Sequence, residues 1–117
     1  MPSVQPPTSE GYTEALMDDA FRKSVLQVVL GIPYGQTMSY GGVALEAGYP
    51  GYARHVGNLL AGLSEEDAPE VPWYRVINAS RGISTYRRGI GDLQRKLLIS
   101  EGVSFKGEKI AKEHFLG

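Results

Sequence analysis

The sequence contains no cysteine, which excludes disulfides, zinc–thiolate sites, redox pairs and any thiol nucleophile. Histidine is scarce too. His55 and His114 lie far apart and neither has an acidic or imidazole neighbour at ligand spacing, so no metal and no cofactor is expected. No apolar run approaches membrane-spanning length, and Met1 to Pro7 lacks the basic-then-apolar order of a secretion signal. The expectation is a cytoplasmic protein with no membrane partner. Nor is there an excess of one charge: 12 Lys and Arg face 13 Asp and Glu over 117 residues, and the hydrophobic fraction of 42% suits one domain with a modest core.

The near-neutral total conceals segregation. Residues 1–70 hold 3 basic and 9 acidic groups, whereas residues 71–100 hold 6 basic groups and only Asp92. A polyanion can therefore dock on one face of a chain that is not basic as a whole.

Met1 to Gly11, with Pro2, Pro6 and Pro7 among small polar residues, reads as a flexible arm. From Thr13 the apolar positions Leu16, Ala20, Val25, Val28 and Val29 recur at near-helical spacing, and Gly31 before Pro33 should end that helix. Ser39 is a good N-cap for a short helix through Tyr40, Val43, Ala44 and Ala47, stopped by Gly48 and Pro50. A second short helix follows from about Tyr52 to Leu60. Helices joined by Gly-Tyr-Pro-Gly form a helix-turn-helix pattern, in which the second helix usually meets nucleic acid, although such pairs are common elsewhere.

Gly62 to Glu70 reads as an acidic, solvated loop. Val71–Ile77 and Gly82–Tyr86 read as short strands around an Asn78–Arg81 turn, forming a hairpin wing. Ile90, Leu93, Leu97 and Leu98 give a helical stripe closing near Glu101-Gly102, and residues 103–117 read as a mixed C-terminal tail. The fold class expected is mainly α, a winged helix-turn-helix domain over residues 12–102 with a short β-hairpin wing.

Three stretches carry more: Ile32-Pro-Tyr-Gly-Gln-Thr-Met-Ser-Tyr-Gly41, Ala53-Arg-His-Val-Gly57 and Val71-Pro-Trp-Tyr-Arg-Val-Ile77. Together they resemble, in order, the C-terminal domain of the O6-alkylguanine-DNA alkyltransferases. In that family a Pro-Cys-His-Arg-Val motif supplies the thiolate that takes the alkyl group, and an Ala-Arg-x-Val-Gly helix inserts its arginine into DNA. Trp73 stands at the cysteine position and Tyr74 at the histidine position. Tryptophan for that cysteine marks the alkyltransferase-like proteins, which recognise the lesion without repairing it.

The resemblance implies roles for individual residues. Arg54 enters the gap left in the base stack, where position on a helix alone would suggest a phosphate contact. Tyr40 touches the phosphate of the rotated nucleotide, with Ser39 and Gly57 beside the DNA; a core or capping tyrosine would look the same in sequence. Trp73 and Tyr74 belong to the lesion pocket with Val76, Tyr86, Arg87 and Arg88, and Ile83 and Gly89 line its opening. Trp73 would otherwise be a lone core tryptophan, and the two arginines would otherwise contact phosphates. Arg88 is the better match to an arginine lying against the modified guanine. Pro72, Arg75 and Glu101 have structural roles, Arg75 as a brace to backbone carbonyls and Glu101 as a helix-end carboxylate or buried acceptor.

An indole N–H cannot accept an alkyl group at a useful rate, and a phenol with an ordinary pKa of about 10 is a poor base. The function implied is a non-enzymatic, monomeric sensor, nucleoid-associated or nuclear. It binds duplex DNA containing O6-alkylguanine, flips the nucleotide and directs the site to nucleotide excision repair proteins. The alternatives are a repair enzyme of the alkyltransferase type and a winged-helix regulator that reads sequence.

Overall fold

The computed structural model describes residues 19–63 and 69–117. The arm at 1–11, the helix start at 13–18 and most of the acidic loop therefore lie outside the described residues. Helix α1 (Asp19–Leu30) places Phe21, Val25 and Val29 four residues apart on one face, all fully buried. It stops where Gly31 donates to the carbonyls of Gln27 and Val28, since Pro33 bars the α conformation at Ile32.

Strand β1 (Met38–Ser39) runs straight into α2 (Tyr40–Glu46), capped by Ser39, whose Oγ accepts the Gly42 N–H at 2.9 Å. Gly48 and Gly51, at φ +92° and +88°, turn the chain into α3 (Ala53–Ala61). Both glycines adopt left-handed backbone that a side chain would strain. Val43 and Ala44 from α2 and Val56 and Leu59 from α3 close on the α1 stripe, giving the helix-turn-helix its core.

The stretch 71–86 departs from the expected hairpin. Its one strand is Val76–Ile77 (β2), which pairs in parallel with β1, Met38 opposite Val76 and Ser39 opposite Ile77. Trp73–Arg75 and Thr85–Arg88 are 3-10 helices. Local hydrogen bonding explains the correction: Trp73 donates to Val71 and Arg75 to Pro72, while the Asn78 Oδ1 accepts from the Ser80 N–H, the Ser80 hydroxyl and the Gly82 N–H at 2.8–3.0 Å. An asparagine that satisfies its neighbours in this way competes with a ladder.

The tail is also corrected. After α4 (Gly91–Ser100), residues 103–117 contain a hairpin of β3 (Phe105–Lys106) and β4 (Lys109–Ile110), joined to the 78–82 turn by a bridge between Gly82 and Lys109. Arg81 and Ile110 exchange bonds, Ile110 N–H to the Arg81 carbonyl at 2.8 Å and Arg81 Nη1 to the Ile110 carbonyl at 2.7 Å. The winged helix is thus completed by the C-terminal hairpin. Residues 114–116 then lie along Thr37, whose N–H donates to His114 and whose carbonyl accepts from Leu116.

Two clusters share the interior, and β2 divides them. Val76 faces the helix-turn-helix side, whereas Ile77 points to Leu98, Val103 and Ile110, as alternation along a strand requires. Ile110→Ala should therefore cost about 2–4 kcal/mol in an equilibrium urea titration, the usual range for emptying a buried aliphatic site. A frayed tail would register no change.

Candidate nucleic-acid interface

A groove of about 780 Å³ opens between α3 and the Thr85–Arg88 helix. One wall carries Tyr40, Ala53, Arg54, Gly57, Asn58 and Ala61; the other carries Asn78, Ile83, Ser84, Thr85, Tyr86, Arg87 and Arg88. Val56 and Leu59 turn α3 inward, and the helical repeat then sends Arg54, Asn58 and Ala61 to the opposite, open side. Among the described residues no carboxylate lines the groove, and Arg54, Arg87 and Arg88 have no ion-pair partner. Three arginines therefore line one cleft, which is what a polyanion requires. The Tyr40 hydroxyl spans the cleft to the Ser84 hydroxyl at 3.4 Å.

The wall bearing Tyr86, Arg87 and Arg88 is held by one buried amide. Gln94, 1% exposed on α4, accepts from the Thr85 hydroxyl at 2.6 Å and donates to the carbonyls of Tyr74 and Val76, both at 3.0 Å. Every polar atom of that side chain is used, so the 3-10 helix is tied to β2 with nothing left unsatisfied.

Of the residues singled out from sequence, the structure brings Tyr40, Arg54, Gly57, Tyr86, Arg87 and Arg88 into this groove, with Ile83. Five others, Gly89 among them, stand off it. Ser39 is buried, with its hydroxyl committed to the Gly42 N–H and the Gly117 carbonyl. Val76 is wholly buried, and a side chain without exposed surface cannot line an opening. Trp73 is half-buried, its ring edge-on to Tyr74 with centroids 5.8 Å apart. Tyr74 turns away, with Pro72 and Arg75, toward a smaller cavity of about 270 Å³ that also involves Leu30 and Val71. Trp73, Tyr74 and Val76 therefore do not line the groove that holds the arginines: the first two sit in the 3-10 turn Trp73–Arg75 and Val76 is buried in β2.

Glu101 gathers this second set. Its carboxylate, 4% exposed, accepts from the Tyr74 hydroxyl at 2.9 Å, the Gly35 N–H at 2.9 Å and the Arg75 guanidinium at 2.6–3.2 Å. Arg75 Nη1 also donates to the Ile32 carbonyl at 2.9 Å, and its guanidinium lies over the rings of Tyr34 and Tyr74. Burial pushes the Glu101 carboxyl up, but the bonds from Arg75, Gly35 and Tyr74 outweigh it and hold it below the ordinary glutamate range. Burial, then the hydrogen bond to Glu101, pushes the Tyr74 phenol up, keeping its proton on the oxygen. Arg75 is held charged by the same carboxylate. Among the described residues no cluster of His, Asp or Glu fits a metal ion, and no helix is long and apolar enough to cross a membrane.

Sequence reasoning missed Asn58, Ser84 and Gln94. Asn58 was accessible as the residue one turn after Arg54. Gln94 was not, because a glutamine inside an amphipathic stripe reads as solvent-facing.

Two outcomes are expected from these networks. Gln94→Leu should cost about 2–4 kcal/mol in chemical unfolding, because it strands two carbonyls and a hydroxyl inside the protein. A depressed carboxyl stabilises above its unfolded pKa and that contribution disappears as pH falls through the folded one. The melting temperature of the wild type should therefore drop more steeply below about pH 4.3 than that of Glu101→Gln.

Comparison with known proteins places this groove in context. Residues 20–103 match the family described as 6-O-methylguanine DNA methyltransferase, DNA binding domain. The chain is 44% identical over 85 residues to a DNA base-flipping protein of Vibrio parahaemolyticus, covering 73% of this chain and 82% of that one. It is 41% identical over 86 residues to Alkyltransferase-like protein 1 of Schizosaccharomyces pombe, 73% and 78% of the two chains. A crystal structure of S. pombe Atl1 in complex with damaged DNA containing O6-carboxymethylguanine superposes with a TM-score of 0.72 at 34% identity, over 86% of this chain and 97% of that one. A methylated-DNA–protein-cysteine methyltransferase of Mycobacterium leprae is 46% identical over 81 residues, 69% of this chain but 46% of its own length. With the fold, the cationic groove and these matches in hand, the chain belongs to the 6-O-methylguanine DNA methyltransferase DNA-binding-domain family and is of the alkyltransferase-like type.

Proposed function

We propose that this protein is a non-enzymatic sensor of O6-alkylguanine in DNA, which rotates the damaged nucleotide out of the duplex and holds it for nucleotide excision repair proteins. The observation that carries the reading is the groove itself: Arg54 on α3 faces Arg87 and Arg88 across a cleft that no carboxylate of the described residues lines. The names of the Vibrio and S. pombe relatives, and the damaged DNA bound to Atl1, support it.

Extruding a nucleotide costs a few kcal/mol in stacking and pairing, less when O6-alkylation has already weakened the pair. Arg54 offsets that cost by filling the vacated space, where a guanidinium stacks on neighbouring bases and bonds to the orphaned partner. Tyr40, on the first turn of α2, meets the backbone of the rotated nucleotide. Arg88, with Arg87 beside it, lies against the modified guanine, and Tyr86 offers an aromatic surface. Pro72, Arg75 and Glu101 brace the loop that bears Trp73.

Alkyl transfer needs a nucleophile with an accessible anion. This chain has no cysteine, and the Tyr74 phenol keeps its proton in a bond to Glu101. Both facts support recognition without chemistry, in a monomer whose output is a persistent protein–DNA complex. That output is what repair proteins would engage.

The test is binding to guanine and O6-methylguanine duplexes at one salt concentration. Arg54→Ala should weaken both by about tenfold or more, the size of a lost stack, whereas Arg88→Ala should erode mainly the preference. Equal affinities of the wild type for the two duplexes would overturn lesion sensing, since phosphate contacts alone are indifferent to the base. A mass gain on the protein after incubation would overturn the non-enzymatic reading.

A further inference from the structure

Gly91 opens α4 and is buried, yet its backbone does not need glycine: it is absent from the residues with positive φ. What needs glycine there is Tyr86. A Cβ at position 91 would stand 2.2 Å from Tyr86 Cδ1, 2.4 Å from Cγ and 2.6 Å from Cε1. Cγ is the root of the ring, so spinning the ring about its own axis cannot clear the contact. Only a change of χ1 can, and that moves the whole phenol. The backbone beneath it is tied on both sides, Thr85 to Gln94 and the Gly89 N–H to the Tyr86 carbonyl, so a shift there would break bonds. Tyr86 is nonetheless 45% exposed, on the groove wall next to Arg87 and Arg88.

We propose that Gly91 is the positioning residue that seats Tyr86, and that the seated phenol is the surface on which an extruded alkylated purine stacks. This rests on the sensor reading and names the part of the groove that holds the base. A large aromatic ring left half-exposed gains little from burial. Fixing it against a glycine withdraws its conformational freedom before any ligand arrives, which is how a binding surface is preorganised. The guanidiniums alongside then contribute charge to a base already stacked.

The experiment uses the full chain in four forms: wild type, Gly91→Ala, Tyr86→Ala and the double variant. In the wild type one Gly91 Hα should resonate upfield through the ring current of Tyr86, and the shift should vanish in Tyr86→Ala. Gly91→Ala should lose about tenfold or more of its affinity for an O6-methylguanine duplex, as for a forfeited base–aromatic stack, with a smaller loss on the unmodified duplex. In the Tyr86→Ala background, Gly91→Ala should cost nothing further. If Gly91→Ala lowers the melting temperature, the double variant should restore it, because the collision is gone. An equal loss with and without the ring, or a melting temperature that the double variant fails to restore, overturns the proposal. So does a lesion preference that the wild type has and Gly91→Ala keeps, which overturns this inference alone. A wild type without preference overturns the sensor reading with it.

Discussion

The side-chain amide of Gln94 is the interaction on which the rest depends. It sits 1% exposed between α4, β2 and the Thr85–Arg88 helix, and each of its bonds joins a different part of the groove's frame. Without it, three backbone and hydroxyl groups would be buried unpaired, a cost of several kcal/mol that a domain of this size cannot easily bear. The apolar packing on either side of β2 decides that the chain folds. The amide decides where the second groove wall stands relative to α3.

Glu101 plays the matching part on the far side of β2. Its carboxylate would be expensive to bury alone, and is tolerated because Arg75, Tyr74 and the Gly35 N–H occupy it. Gly35 is in left-handed backbone at φ +80°, so the loop preceding β1 can bring its N–H to the carboxylate. Together Glu101, Arg75 and Tyr74 tie the Trp73–Arg75 turn to the loop before β1. Their charges neutralise one another, whereas the groove's do not.

That contrast separates the two cavities in charge. Arg75 is spent on a carboxylate inside the protein, while Arg54, Arg87 and Arg88 are exposed and, among the described residues, have no acidic neighbour in the groove. A near-neutral chain thereby presents a locally positive cleft. The uneven distribution of charge along the sequence anticipated such a face, although Arg54 joins it from the acidic half and only folding places it there.

What could be read from the chain alone is what short-range physics decides. Ser39 followed by Gly42 caps α2, Gly31 before Pro33 ends α1, and Gly48 turns α2 toward α3, each through atoms a few residues apart. The outward face of Arg54 was legible for the same reason, since a helix with Val56 and Leu59 inside must put it outside, while its role at DNA was implied only by the Ala-Arg-x-Val-Gly resemblance. The expected wing failed at Trp73–Arg75 and Asn78, where local bonds replaced a ladder that alternation of residues had suggested. The packing of Ile110 and Phe115 and the seat of Tyr86 on Gly91 were invisible in the sequence. So was the parting of Trp73 from the arginines, which follows from a 3-10 turn. The first rests on contacts between distant residues, whose energy exists only once the chain has closed on itself; the other two are local, but where they place a side chain depends on the groove wall that Gln94 holds. Caps, helix faces and the missing thiol were therefore settled by the sequence, and the shape of the groove by the tertiary structure, because a cavity belongs to walls that meet only in the folded state.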